Sequence, residues 1–225
     1  MKRHLFSALA FFGLAAAGFA AENVIAEWDF AKESLTSGKY TLLLRGGAKF
    51  VADAERGKAL APCPGTPNPK GDGLTLKGNP VPALAPVGGF EWQFGIRWKM
   101  PEAPPAKAYA MILLDAAYAS KSGVTALLNI TPRKECQFRL NIGTGDKFQT
   151  VVAVAPMLGD GSWHNIAVRY EDGDFSIKID GQMLQLFTPE KPMAPVKVRF
   201  SVGDRVAAGY LPFTGLIDKV KVIGL

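Results

Sequence analysis

Residues 159–181 read GDGSWHNIAVRYEDGDFSIKIDG, and how they read decides the fold. His164, Ile166, Val168 and Tyr170 fall on one face of the segment, and Trp163, Asn165, Ala167 and Arg169 on the other. That period of two is the pattern of a half-buried strand. Glu171-Asp172-Gly173-Asp174 then brings together residues that tolerate a positive φ or bond their own backbone, as a tight hairpin requires. Phe175, Ile177 and Ile179 resume the alternation before Asp180-Gly181 turns the chain again. The stretch predicts two antiparallel strands sharing one apolar face.

The same period recurs on both sides of this hairpin. Phe90, Trp92, Phe94, Ile96, Trp98 and Met100 share one parity, with Glu91, Gln93, Gly95, Arg97 and Lys99 on the other. Six large apolar groups on one side argue burial. Further strands are predicted over 24–30, 40–44, 48–51, 58–60, 74–76, 111–114, 124–130, 137–142, 148–154, 196–202 and 214–222. Residues 63–86 are dense in Pro and Gly and read as loop and edge structure. No helical period follows residue 20, so the fold class is all-β, two stacked antiparallel sheets.

Several phrases carry a family resemblance. They are W-H-N-I-A-V-R-Y-E-D-G with S-I-K-I-D-G at 163–181, G-F-E-W-Q-F-G-I-R-W-K at 89–99 and F-T-G-L-I-D-K-V-K-V at 213–222. The chain resembles laminin G-like domains of the concanavalin A-like lectin and glucanase superfamily. The resemblance implies a two-sheet jelly roll with the first strand beside the last. It implies a non-catalytic binding module for glycans or cell-surface proteins. The alternatives are a glycoside hydrolase or polysaccharide lyase on the same fold, and a structural or adhesion subunit using its strand edges. It also implies a structural Ca²⁺ held by Asp218 with carbonyls near Glu27 and Gly46 or Gly47, an oxygen-only donor set. By its own parity Asp218 falls with Leu216, Val220 and Val222, which directs a carboxylate toward the apolar side, and backbone amides or a basic side chain are the alternative partners to a metal.

Glu27-Trp28-Asp29 is similar to the start of the E-x-D-x-x-E catalytic run of laminarinase-type hydrolases, but Lys32 stands where the second Glu belongs. Retaining hydrolysis needs two carboxylates about 5 Å apart on one face, so no catalytic residue is assigned. His164 shares its parity with Ile166 and Val168 and reads as a hydrogen-bonded packing residue. For saccharide binding, the outward rows Glu91, Gln93, Arg97, Lys99 and Gln137, Arg139, Asn141 are the candidates expected to line one sheet with planar polar groups, an ordinary solvated face being the alternative.

The chain opens with Lys2 and Arg3, an apolar run over 5–19 and small residues around Ala20-Ala21. This layout predicts a signal peptide over 1–20, leaving one domain over 21–225 that acts in the periplasm or outside the cell. Removing Lys2 and Arg3 turns the +6 of the whole chain into +4. No Lys/Arg cluster interleaves with aromatics, so nucleic acid is not an expected partner. No later segment is long and apolar enough to predict a membrane span. A polysaccharide or a cell-surface protein is the expected partner. An oxidising compartment permits a disulfide between Cys63 and Cys136; two buried thiols are the alternative, and the sequence leaves both open.

Overall fold

The computed structural model describes residues 22–68, 70–103, 105–117, 120–205 and 211–225; the leader predicted over 1–20 lies outside them. Trp163 to Tyr170 runs antiparallel to Arg97 to Phe90 in unbroken register, and Ile166, Val168 and Tyr170 pair with Ile179, Ile177 and Phe175 on the other side. The hairpin turns at Asp172 and Gly173, both at positive φ (52° and 91°). An Asp is among the few side chains that adopt this conformation readily.

Sixteen strands are described: β1 (Asn23–Asp29), β2 (Thr36–Ser37), β3 (Tyr40–Leu44), β4 (Lys49–Asp53), β5 (Gly57–Ala61), β6 (Leu74–Leu76), β7 (Phe90–Lys99), β8 (Tyr109–Asp115), β9 (Ser122–Ile130), β10 (Cys136–Thr144), β11 (Phe148–Val154), β12 (Asp160–Glu171), β13 (Asp174–Ile179), β14 (Gln182–Phe187), β15 (Ser201–Val202) and β16 (Leu216–Gly224). Three short 3₁₀ turns complete the described secondary structure. The first sheet runs β14-β13-β12-β7-β16-β5-β4, with β1 also on β16. The second runs β11-β10-β9-β8-β15-β6-β3-β2. All pairings are antiparallel, and β1 lies beside β16 as the resemblance implies. No helix among the described residues is long and apolar enough to cross a membrane.

The core lies between the sheets. Phe90, Trp92, Phe94, Ile96 and Trp98 all point into it, as their parity predicts. Phe200 stacks on Trp28 at 5.9 Å and meets Trp92 edge-on at 5.5 Å, tying the crossing segment to both β1 and β7. The indoles keep their polar ends satisfied: Trp92 Nε1 donates to Leu84 O at 2.7 Å and Trp28 Nε1 to Tyr40 O at 3.3 Å. Burying a side chain such as Phe200 contributes about 3 kcal/mol.

Two expectations need correction, and one edge strand was not expected. Of the strand expected over 196–202, only Ser201 and Val202 pair with neighbours, although Val196 and Phe200 are buried. Phe200 O still accepts from Leu76 N at 2.8 Å, and the segment leading into the stretch is tied by Ala194 N to Gly143 O (2.8 Å) and Gly123 N to Ala194 O (2.8 Å). The edge strand β14 escapes the alternation because its apolar Met183 and Leu186 are exposed. In β16, three steps from Ile217 to Val220 oppose two from Ile96 to Phe94. The extra residue is a β-bulge that reverses the parity. Ile217 and Val220 both face the core, and Asp218 turns outward.

Candidate functional site on the outer face of the second sheet

Strands β11, β10, β9 and β8 are in register along this face. One row places Thr150, Asn141, Thr125 and Asp115 side by side across the four strands. Hydrogen bonds join them in pairs: Thr150 Oγ1 donates to Asn141 Oδ1 at 2.9 Å, and Thr125 Oγ1 donates to Asp115 Oδ1 at 2.6 Å. The next row is Val152, Arg139, Leu127 and Ile112. The third contains Val154, Gln137, Asn129 and Ala110, with Asn129 Nδ2 donating to Gln137 Oε1 at 2.9 Å. Alternation along each strand puts all three rows on the outer face, which therefore mixes apolar and polar groups.

A recess of about 180 Å³ opens in the first two rows, lined by Ile112, Asp115, Thr125, Leu127, Asn141, Phe148, Arg205 and Leu211. Leu211 O accepts from Ile112 N at 2.8 Å, so the segment before β16 forms one wall. Phe148 is 38% exposed at the rim, a flat apolar surface beside carboxylate, carboxamide and hydroxyl groups. Arg139 is half-buried, and its Nε has no hydrogen-bond partner among the described residues. Asp115 is fully buried and its Oδ1 also accepts from Ala117 N at 3.0 Å, so it orders the floor, and the groups a sugar ring can meet are the exposed Phe148 face and the half-buried Asn141 and Arg139. Asp115 is the one carboxylate among the described lining residues.

The two rows expected to line one sheet are separated. Gln137, Arg139 and Asn141 are on β10 in the second sheet, whereas Glu91, Gln93, Arg97 and Lys99 are on β7 in the first. Each row faces outward, so they stand on opposite sides of the sandwich. Parity identifies an outward residue but carries no information on which sheet holds it. On the first sheet most of these groups are engaged. Arg97 meets Asp53 at 2.5 Å, and Glu91 accepts from Gln93 at 2.6 Å and from Arg169 at 3.3 Å.

The four residues expected around calcium also divide. Asp218 is 5% exposed and lies over Gly95, where any Cβ would overlap its carboxylate. It lines a recess with Glu27, Asp29, Ala31, Arg56 and Lys219. Gly46 and Gly47 instead close on Asp72, whose Oδ1 accepts from Gly47 N at 2.8 Å. Arg56 supplies positive charge at 3.4 Å from Asp218 Oδ2. Burial pushes the Asp218 carboxyl above the usual carboxylate range, only partly offset by Arg56. Calcium needs six or more oxygens at 2.3–2.6 Å. This donor set, shared with two basic side chains, does not fit one ion, and among the described residues no group of three or more His, Cys, Asp or Glu converges to hold a metal.

Asp29 caps a 3₁₀ turn, accepting from Ala31 N at 3.1 Å and pairing with Lys32 at 2.8 Å, which is a structural use of the E-x-D segment. Cys63 and Cys136 are both buried and free, so the disulfide is not made. Burial pushes the Cys136 thiol up to about 12. His164 is buried between Asp180 (2.7 Å) and Asp160 (3.2 Å), the packing role its parity predicts. A buried group that the sequence did not reveal is Asp204, whose Oδ2 accepts from Asp72 N at 2.8 Å across 132 residues. Only its neighbour Gly203, at positive φ, hints at a turn there.

A laminin G family model, described as the concanavalin A-like lectin/glucanases superfamily, matches residues 98–224. The chain belongs to this superfamily. No curated protein matches it. Among solved structures, domain 4 of AbnA, an extracellular arabinanase from Geobacillus stearothermophilus in complex with arabinotriose, is similar over 90% of this chain and 93% of its own (TM-score 0.55, 15% identity). A botulinum neurotoxin type C structure, concerned with cell entry through two ganglioside molecules, matches 90% of this chain and 48% of its own (TM-score 0.63, 12% identity). The enzymatically active domain of tailspike protein 2 from bacteriophage CBA120 matches 88% and 31% (TM-score 0.62, 15% identity). This superfamily member thus spans about half of the toxin chain and under a third of the tailspike chain. At these identities the likeness is one of fold.

Proposed function

We propose that this protein is an exported, non-catalytic binding module for glycans, and that it takes a sugar on the outer face of its second sheet. The observation that carries this reading is the recess in which Phe148 and Leu127 stand beside Asp115, Thr125 and Asn141. A sugar ring offers an apolar face and a fringe of hydroxyls, and this wall offers partners for both. The volume of about 180 Å³ suits one ring rather than a buried chain. The similarity to an arabinanase domain complexed with arabinotriose supports the choice of a saccharide, since that domain is matched over 93% of its length. The single carboxylate of the recess favours binding over hydrolysis, which uses two. Export rests on the leader over residues 1–20.

A glycan array followed by a reducing-sugar assay on the hits tests this reading. Binding without sugar release is the expected result. Release of reducing ends would replace the binder with a hydrolase, and an array without hits would remove the glycan.

A further inference from the structure

The outer face of the first sheet is rich in cations, and most of them have partners. Arg97 pairs with Asp53 and Glu55, Arg56 with Asp218, Arg169 with Glu91 and Glu171, and Lys221 with Glu22. Lys178 on β13 and Lys219 on β16 are exposed, and neither has an ion-pair partner among the described residues. The neighbouring acids are already engaged. Asp180 accepts from Asn165 N at 2.8 Å and holds His164, Glu91 holds Arg169, and Asp218 holds Arg56.

These two lysines line one recess of about 240 Å³ with Gln93, Asn165 and Ala167. Ala167 pairs with Gln93 on one side and with Lys178 on the other, so a methyl group stands between longer neighbours and leaves a floor. The bulge in β16 presents Lys219 together with Asp218 opposite Gly95, a residue without a side chain. β13 and β16 are three strand spacings apart, about 14 Å, a gap that two lysine arms narrow from both ends. The Asn165 carboxamide has no partner among the described residues, and Gln93 uses its amide nitrogen on Glu91.

We propose that this recess is a second binding site, for a sugar unit carrying an oxyanion, either carboxylate or sulfate. The lysines neutralise the anion from two sides, and the amides of Asn165 and Gln93 meet the hydroxyls beside it. Two cations facing a common hollow attract an anion more strongly than scattered charge does, because their fields add where the ligand lies. The site is on the opposite sheet from the Phe148 recess and does not depend on it.

Affinity electrophoresis in gels containing polygalacturonate, dextran sulfate or neutral dextran tests the proposal. Retardation by one or both of the anionic polymers and not by dextran is expected, and the polymer that retards identifies carboxylate or sulfate as the preferred group. Lys178→Gln with Lys219→Gln should weaken that retardation at least about tenfold. Lys77→Gln with Lys197→Gln, which removes the same charge from exposed positions elsewhere, should weaken it less than about twofold. Ala167→Glu, which puts a carboxylate on the floor, should abolish it. Equal loss in the two lysine pairs, or no retardation by either anionic polymer, would overturn the site.

Discussion

The indole of Trp163 donates from Nε1 to Oδ1 of Asp53 at 3.2 Å, joining β12 to the β4–β5 hairpin across 110 residues of chain. Arg56 and Arg97 lie against the same indole at 5.4 and 5.5 Å. The Asp53 carboxylate, with its side chain fully buried, also accepts from Glu55 N and Arg56 N and meets Arg97 at 2.5 Å. The hairpin is thereby fastened to the outer face of the first sheet by one carboxylate.

Asp53→Ala should therefore destabilise the protein by about 2–4 kcal/mol, since it strands Arg97 and two backbone N–H groups. Trp163→Phe keeps the ring and loses one bond, and should lose about 1 kcal/mol beyond the change in packing. Burial opposes ionisation of Asp53, but the backbone donors, Trp163 and Arg97 outweigh it and hold its pKa below the usual value. A depressed carboxyl stabilises above its unfolded pKa of about 3.9 and loses that stabilisation as pH falls through the lower folded value. Urea midpoints from pH 5 to 2 should fall in wild type and fall less in Asp53→Ala.

His164 has the opposite sign. Burial lowers its pKa, but Asp180 and Asp160 outweigh that and leave it raised. Its stabilisation is fully present below the unfolded value of about 6.5 and is lost as pH climbs through the raised folded one. Melting temperatures between pH 5 and 9 should decline in that window, and His164→Gln should flatten the decline. An unchanged profile in the variant would contradict this role.

Gly95→Ala should cost about 1–3 kcal/mol, because the added methyl meets the Asp218 carboxylate. In an Asp218→Ala background the same change should cost much less, so a double-mutant cycle by chemical denaturation should show coupling. Additivity would mean that Asp218 does not lie over Gly95.

Much of this architecture was legible in the sequence because burial writes itself as a period of two. Phe90 to Trp98 and Ile166 to Ile179 fall as their alternation predicts, and β3, β6 and β11 begin and end where their patterns do. The failures are of one kind. The bulge at Ile217–Val220 adds a residue that no pattern marks, and so turns Asp218 from the core side to the outer side of the sheet, where it stays buried over Gly95. Strand order is set by long-range pairing, so Gln93 and Asn141 looked like neighbours and lie on opposite sheets. Of the candidate site, Gln137, Arg139 and Asn141 were visible as an outward row. Asp115, Thr125 and Phe148 join them only through the register of β8, β9 and β11.

The buried, unbonded cysteines make a chemical prediction. Without reductant, the folded protein should react slowly with a thiol reagent, since Cys63 and Cys136 are buried and burial disfavours both thiolates. Two thiols per chain should appear on denaturation. Zero thiols in denaturant would reinstate the disulfide.

The face of the second sheet is tested most directly by following backbone amide NMR shifts while titrating the best oligosaccharide from the array. The account predicts that the largest changes cluster on β8, β9, β10 and β11 around Asp115, Thr125, Asn141 and Phe148, and that Asn141→Ala with Arg139→Ala weakens binding about tenfold or more. Changes confined to the first sheet or to the rim loops, with affinity unaltered in the double variant, would contradict it.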